Sequence, residues 1–75
     1  MKADKLVRMA NQIADNFAYG SDDAKSAASV ADHLRRFWTP GMRRLIVEYL
    51  NGGGTGLNKV AALAVAALAQ EKAYA

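Results

Sequence analysis

The sequence contains no cysteine. That excludes a disulfide framework, a thiolate zinc site and a thiol nucleophile. It contains one histidine, so a histidine-rich metal site is excluded as well. Aromatic residues make up only 8% of the chain, and there is one proline. A long hydrophobic run is also missing. The most apolar stretch, residues 57–69, includes Asn58 and Lys59 and falls short of the roughly 20 residues that cross a bilayer. The opening Met1-Lys2-Ala3-Asp4-Lys5 mixes charges and leads into no apolar core of a signal peptide. The expectation is a cytoplasmic protein with no membrane segment.

What is present is modest in amount. The chain has 75 residues, among them 16 alanines and 23 large apolar residues, and a formal charge of +3. It is expected to form a single helical domain over residues 1–75. A chain of this length buries a small share of its surface, and nothing is available to staple it. A partner subunit or self-association is therefore expected.

Four helical segments are expected at about 4–19, 22–38, 40–51 and 59–72, from apolar spacing and punctuation. In the first, Leu6, Met9, Ala10, Ile13 and Phe17 form a stripe, with Lys5, Arg8, Gln12 and Asp15 opposite. Asp4 is placed to cap its start and Gly20 to end it. Ser21 is the expected cap of the second, with Asp22 and Asp23 in its first turn. The apolar side of that segment begins small, with Ala24, Ala27 and Ala31, and ends large, with Val30, Leu34, Phe37 and Trp38. Thr39-Pro40 marks a boundary, since proline disfavours helix before it and suits the first helical position after it. Thr39 then caps the third segment, whose stripe is Met42, Leu45, Ile46 and Tyr49. A glycine-rich hinge at about 52–56 follows. Asn58 is the expected cap of the fourth, with Val60, Leu63, Ala64, Ala67 and Leu68 on one face and Ala62, Ala66 and Ala69 on the other. Segments one to three are expected to pack together, with the fourth covering them or docking on a partner. The fourth is either buried on more than one side or simply rich in the best helix former. The fold class expected is all-α, a small bundle of three to four helices.

No motif carries recognisable catalysis. The glycine run is not a phosphate loop, because Gly56 is followed by Leu57-Asn58-Lys59 and preceded by a helix. The dinucleotide pattern fails too, with Leu57 where a third glycine is needed. His33 flanks the second stripe, and Asp32 beside it points elsewhere on a helix, so a packing role is expected. Catalytic, cofactor-binding and metal residues are all expected to be absent. The informative local feature is a basic cluster. Arg35, Arg36, Arg43 and Arg44 fall between His33 and Val47 with no acidic residue in that window. Asp32 can pair with Arg36 and Arg44 with Glu48, each at i,i+4. Arg43 has no local acid. The cluster reads either as a solvated basic face, or as a contact for an acidic protein or for nucleic acid. Phe37 and Trp38 are neighbours pointing about 100° apart on a helix, so both cannot lie at the centre of one narrow stripe. One of them is free to anchor a partner.

Longer stretches carry a resemblance. Lys5-Leu6-Val7-Arg8-Met9-Ala10-Asn11-Gln12-Ile13-Ala14 resembles the opening of the delta subunit of NAD-dependent, molybdenum- or tungsten-containing formate dehydrogenases. So does Val30-Ala31-Asp32-His33-Leu34-Arg35-Arg36-Phe37-Trp38-Thr39-Pro40-Gly41-Met42-Arg43. The glycine-rich turn leading into Gly56-Leu57 is similar to that family as well. The likeness spans about residues 4–57, and the alanine-rich tail departs from it.

The resemblance implies a small non-catalytic subunit beside a large catalytic subunit that carries molybdopterin and iron–sulfur clusters, with companion subunits that hold flavin and NAD sites. Its implied role is to support assembly, stability or cofactor maturation. The leading expectation is thus an accessory subunit of a cytoplasmic formate dehydrogenase complex, holding no cofactor of its own. Arg35, Trp38 and Arg43 are expected to mark the partner contact. The fourth segment is expected to be covered by another chain or a second copy. The alternative is a small basic helical nucleic-acid-binding module. Against it, the arginines straddle a turn, where a reader of DNA would carry them on one recognition helix.

Overall fold

The computed structural model describes residues 3–17 and 22–70. It has four helices: α1 (Ala3–Asn16), α2 (Asp23–Phe37), α3 (Pro40–Asn51) and α4 (Lys59–Ala69). Among the described residues there is no strand, and the fold is all-α. The radius of gyration is 10.9 Å, close to the roughly 11 Å expected of a folded chain this long.

Local chemistry explains where the helices begin. The Asp22 side chain accepts from the Lys25 amide at 3.0 Å, so Asp22 caps α2. Ser21, the expected cap, lies outside the described residues, as do Gly20 and residues 18 and 19 of the expected first segment, while Phe17 already lies past the end of α1. Asp4 does not cap α1, because the helix already includes Ala3 and Asp4 sits in its first turn. Its charge there still faces the positive helix end. Thr39 Oγ1 accepts from the Met42 amide at 3.2 Å, with Pro40 in the first turn of α3. Asn58 Oδ1 accepts from the Ala61 amide at 2.8 Å and starts α4.

Helix α4 is the centre of the assembly. It packs most extensively on α2 and also lies against α3 and α1, whereas α2 and α3, adjacent in sequence, are not a packed pair. The fourth segment is thus the element on which the others pack, not a cover laid over them. Its alanines make this possible, since small side chains let helix axes approach closely. The buried line of α4 is Ala61, Ala64, Val65 and Leu68. Ala61 and Val65 replace Leu63 and Ala67 of the expected face. Leu63 is 42% exposed, and Ala62, Ala66 and Ala69 are half-buried.

The other helices show a similar rotation. In α1 the buried residues are Leu6, Val7, Ala10 and Ala14, with Met9, Ile13 and Phe17 at the margin of the core. In α2 they are Ser26, Ala27, Val30, Ala31 and Leu34, and Ala24 is exposed. The Ser26 hydroxyl donates to the Asp22 carbonyl at 3.1 Å, which offsets the cost of burying it. In α3 the buried pair is Ile46 and Val47.

The glycine run, expected as a hinge, is a turn fixed at both ends. Gly54 N–H donates to the Tyr49 carbonyl and Gly53 N–H to the Leu50 carbonyl, both at 3.0 Å. These are the paired bonds of a Schellman stop. Gly54 has φ +66°, a backbone conformation that favours glycine. The Tyr49 hydroxyl donates to the Thr55 carbonyl. From α1, Asn11 Nδ2 donates to the Gly56 carbonyl at 2.8 Å, and Asn11 Oδ1 accepts from the Asn58 amide at 2.9 Å. One helical side chain thereby ties the turn to α1.

Candidate interaction surface at the α2–α3 corner

Helix α2 ends at Phe37, and Trp38 is no longer helical, with φ −89° and ψ 144°. Its amide still donates to the Leu34 carbonyl at 3.0 Å. At i+4 from Leu34 and i+7 from Ala31, the indole continues the buried line of α2. Trp38 is 6% exposed and joins the core, while Phe37 is 70% exposed. Phe37, expected on the apolar face with Trp38, is not part of the core, so of the two neighbours Phe37 is the one that projects.

Phe37 is supported from beneath. Its ring lies 4.7 Å from that of His33, tilted by 43°. The His33 ring lies 5.8 Å from Phe17, tilted by 57°. Residues 33 and 37 are one helical turn apart and so share a side of α2, and Phe17 reaches the same row from the end of α1. His33 therefore packs between aromatics. Aromatic pairs at these spacings and tilts fall within the favoured range.

The arginines divide into two pairs. On α2, Asp32 receives both Arg35, at 3.2 Å, and Arg36, at 3.1 Å. On α3, Arg43 Nη1 donates to the Arg35 carbonyl at 2.9 Å. That bond crosses the corner and ties the start of α3 to the last turn of α2. Arg43 Nε is buried with no hydrogen-bond partner among the described residues. Arg44 is exposed and forms no ion pair with Glu48 among the described residues. The expected Arg44–Glu48 pair is thus not formed, while the Asp32–Arg36 pair is.

The three residues expected at the contact therefore lie at one corner but differ in kind. Arg35 is at its surface, Arg43 braces it, and Trp38 is beneath it. The aromatic row of Phe17, His33 and Phe37 was not anticipated. The i,i+4 spacing of His33 and Phe37 was the available signal. Among the described residues no pocket opens, no group of acidic or histidine side chains could hold a metal, and no helix is long and apolar enough to cross a membrane.

Fold and surface define a small all-α module with an exposed aromatic ring at the end of α2 and arginines on either side of the α2–α3 turn. A family model described as the NADH-dependent formate dehydrogenase delta subunit, FdsD, matches residues 5–65. The chain belongs to that family, and membership implies association with formate dehydrogenase subunits. The match runs past residue 57 into α4, so the family pattern includes the first part of that helix, beyond the span expected from resemblance alone. Neither the curated proteins nor the solved structures yielded a match.

Proposed function

We propose that this chain is a non-catalytic accessory subunit of a cytoplasmic formate dehydrogenase complex. It supports assembly, stability or cofactor maturation of the large molybdopterin-containing subunit. The observation that carries this reading is the family match over residues 5–65. The chain acts by binding, and Arg35, Trp38 and Arg43 define the corner it binds with. Trp38 holds the corner in shape from within. Arg43 fixes α3 against α2 through the Arg35 carbonyl, and its guanidinium presents five donors in a rigid planar fork that the compact ammonium of a lysine does not reproduce.

The test is recovery of the large subunit with a tagged copy of this chain from cells that make the whole complex. The wild-type chain should retain the large subunit with its metal. Arg43→Lys keeps the charge and should lower recovery, and Arg43→Ala should lower it further. Equal recovery for all three removes Arg43 from the contact. No retention by the wild-type chain overturns the accessory-subunit reading itself. A presence in immature but not mature enzyme assigns the chain to assembly.

A further inference from the structure

The chain has four asparagines, Asn11, Asn16, Asn51 and Asn58, and only Asn51 precedes a glycine. An asparagine carboxamide is open to attack by the backbone nitrogen of the residue that follows it. A side chain on that residue shields the nitrogen, and glycine has none. The other three asparagines are followed by Gln12, Phe17 and Lys59. Asn11 and Asn58 also commit their carboxamides, Asn11 to the glycine turn and Asn58 to the cap of α4. The Asn51 carboxamide takes part in no hydrogen bond among the described residues.

The place of this pair in the fold makes it reachable. Asn51 is the last residue of α3, and both it and Gly52 are exposed. One constraint holds the pair closed. The Gly52 amide donates to the Glu48 carbonyl at 3.1 Å, so its nitrogen is free to react only when the last turn of α3 opens. Helix ends open at far lower cost than the core.

A change at this point would be felt by the helix. The last turn of α3 holds no basic residue. A carboxylate at position 51 would meet the negative end of the helix dipole, with Glu48 three residues back on the same side. Rerouting the backbone through the side chain would add a methylene before Gly52. That would displace the Gly53 and Gly54 amides, which close on the Leu50 and Tyr49 carbonyls at 3.0 Å.

We propose that Asn51-Gly52 is a spontaneous modification site, at which Asn51 deamidates through a cyclic imide and uncaps α3. In the open turn, hydroxide takes the proton of the Gly52 amide. The nitrogen bonds to Asn51 Cγ, the Cγ–Nδ2 bond breaks, and ammonia leaves with a proton returned by water. A second water opens the ring at either carbonyl and gives aspartate or isoaspartate. Water is the only co-reactant, and nothing is oxidised or reduced.

The experiment ages the full chain, folded and at mildly alkaline pH. Mass spectrometry of its peptides follows deamidation, and an isoaspartyl methyltransferase reports isoaspartate. Conversion should appear at Asn51, as both products, while Asn11, Asn16 and Asn58 stay intact. Gly52→Ala should lose the conversion. That variant should still fold, because φ at Gly52 is −85° and a Cβ there lies in ordinary contact, 3.6 Å from the Glu48 and Tyr49 carbonyl oxygens. The converted chain should melt below the unconverted one. Conversion at Asn51 in urea but not in the folded chain would mean that the fold seals the site, and would overturn the proposal. Equal conversion of Gly52→Ala would do the same, as would conversion first at another asparagine. A converted chain with an unchanged melting curve would overturn the uncapping of α3.

Discussion

Helix α3 joins two turns that treat their polar groups in opposite ways. At its C-terminal end, the 52–58 turn directs its hydrogen bonds inward. Asn11 takes Gly56 and Asn58, Tyr49 takes Thr55, and the glycine amides close on α3. At its N-terminal end, the α2–α3 corner leaves an aromatic ring in water and, among the described residues, the Arg43 Nε unpartnered. In sequence the basic cluster is the informative feature, while the glycine run fails as a phosphate loop. Its chemistry is consumed in holding α1, α3 and α4 together. Unused chemistry at a folded surface is the better guide to a binding face, and here it lies at the corner.

The largest expected effect separates two neighbouring residues of the corner. Trp38→Ala should cost ~3–5 kcal/mol, as for other buried large aromatics, a large part of the 5–15 kcal/mol typical of a domain. Phe37→Ala should change stability by only about 0.5–1.5 kcal/mol, the worth of its aromatic contact with His33. Thermal or urea unfolding of the two variants measures both. Similar losses would mean that Phe37 is as buried as Trp38 and that the corner has no exposed anchor.

Asn11→Ala tests the other turn. It leaves the Gly56 carbonyl and the Asn58 amide without their partner, at about 1–3 kcal/mol, less several tenths gained because alanine favours helix. Its effect should appear in hydrogen exchange as faster opening of residues 52–58, with the corner unaffected. Opening spread evenly over the chain would show that the turn is not a local clamp. Thr39→Ala removes a helix cap and should cost ~1 kcal/mol. That loss should appear at the corner and at the start of α3, leaving the glycine turn protected.

Much of this fold was legible in the sequence, and the failures share a cause. The Thr39 and Asn58 caps were readable because capping depends on a few adjacent atoms. The buried faces were found but rotated toward the largest residues. In so small a bundle the line nearest the neighbouring axis belongs to small side chains, such as Ala10, Ala14, Ala61 and Ala64, and larger ones such as Met9 and Leu63 flank it. Phe37 and Trp38 were both placed on the apolar face of the second segment, whereas only Trp38, at i+4 from Leu34 and i+7 from Ala31, falls on its buried line. The Asn11 clamp depends on a contact 45 residues away in sequence. Its one local hint was an asparagine in a helix interior, where that residue is a poor choice.

The smallest stability effect is the most informative about the corner. Asp32 is half-exposed and paired with Arg35 and Arg36, at i,i+3 and i,i+4 on one helix. Exposed pairs of this kind are worth ~0.3–0.5 kcal/mol each, so Asp32→Asn should lower stability only slightly. The same substitution removes a carboxylate that offsets two of the corner's arginines. If the corner meets an acidic surface, recruitment of the large subunit at low salt should become faster or tighter even as the free chain becomes marginally less stable. Added salt should shrink the difference, because screening acts on exposed charges. Stability and recruitment falling together would show that Asp32 only holds its two arginines in place. Recruitment that rises at low salt and returns to the wild-type value at high salt would identify it as a brake on an electrostatic encounter.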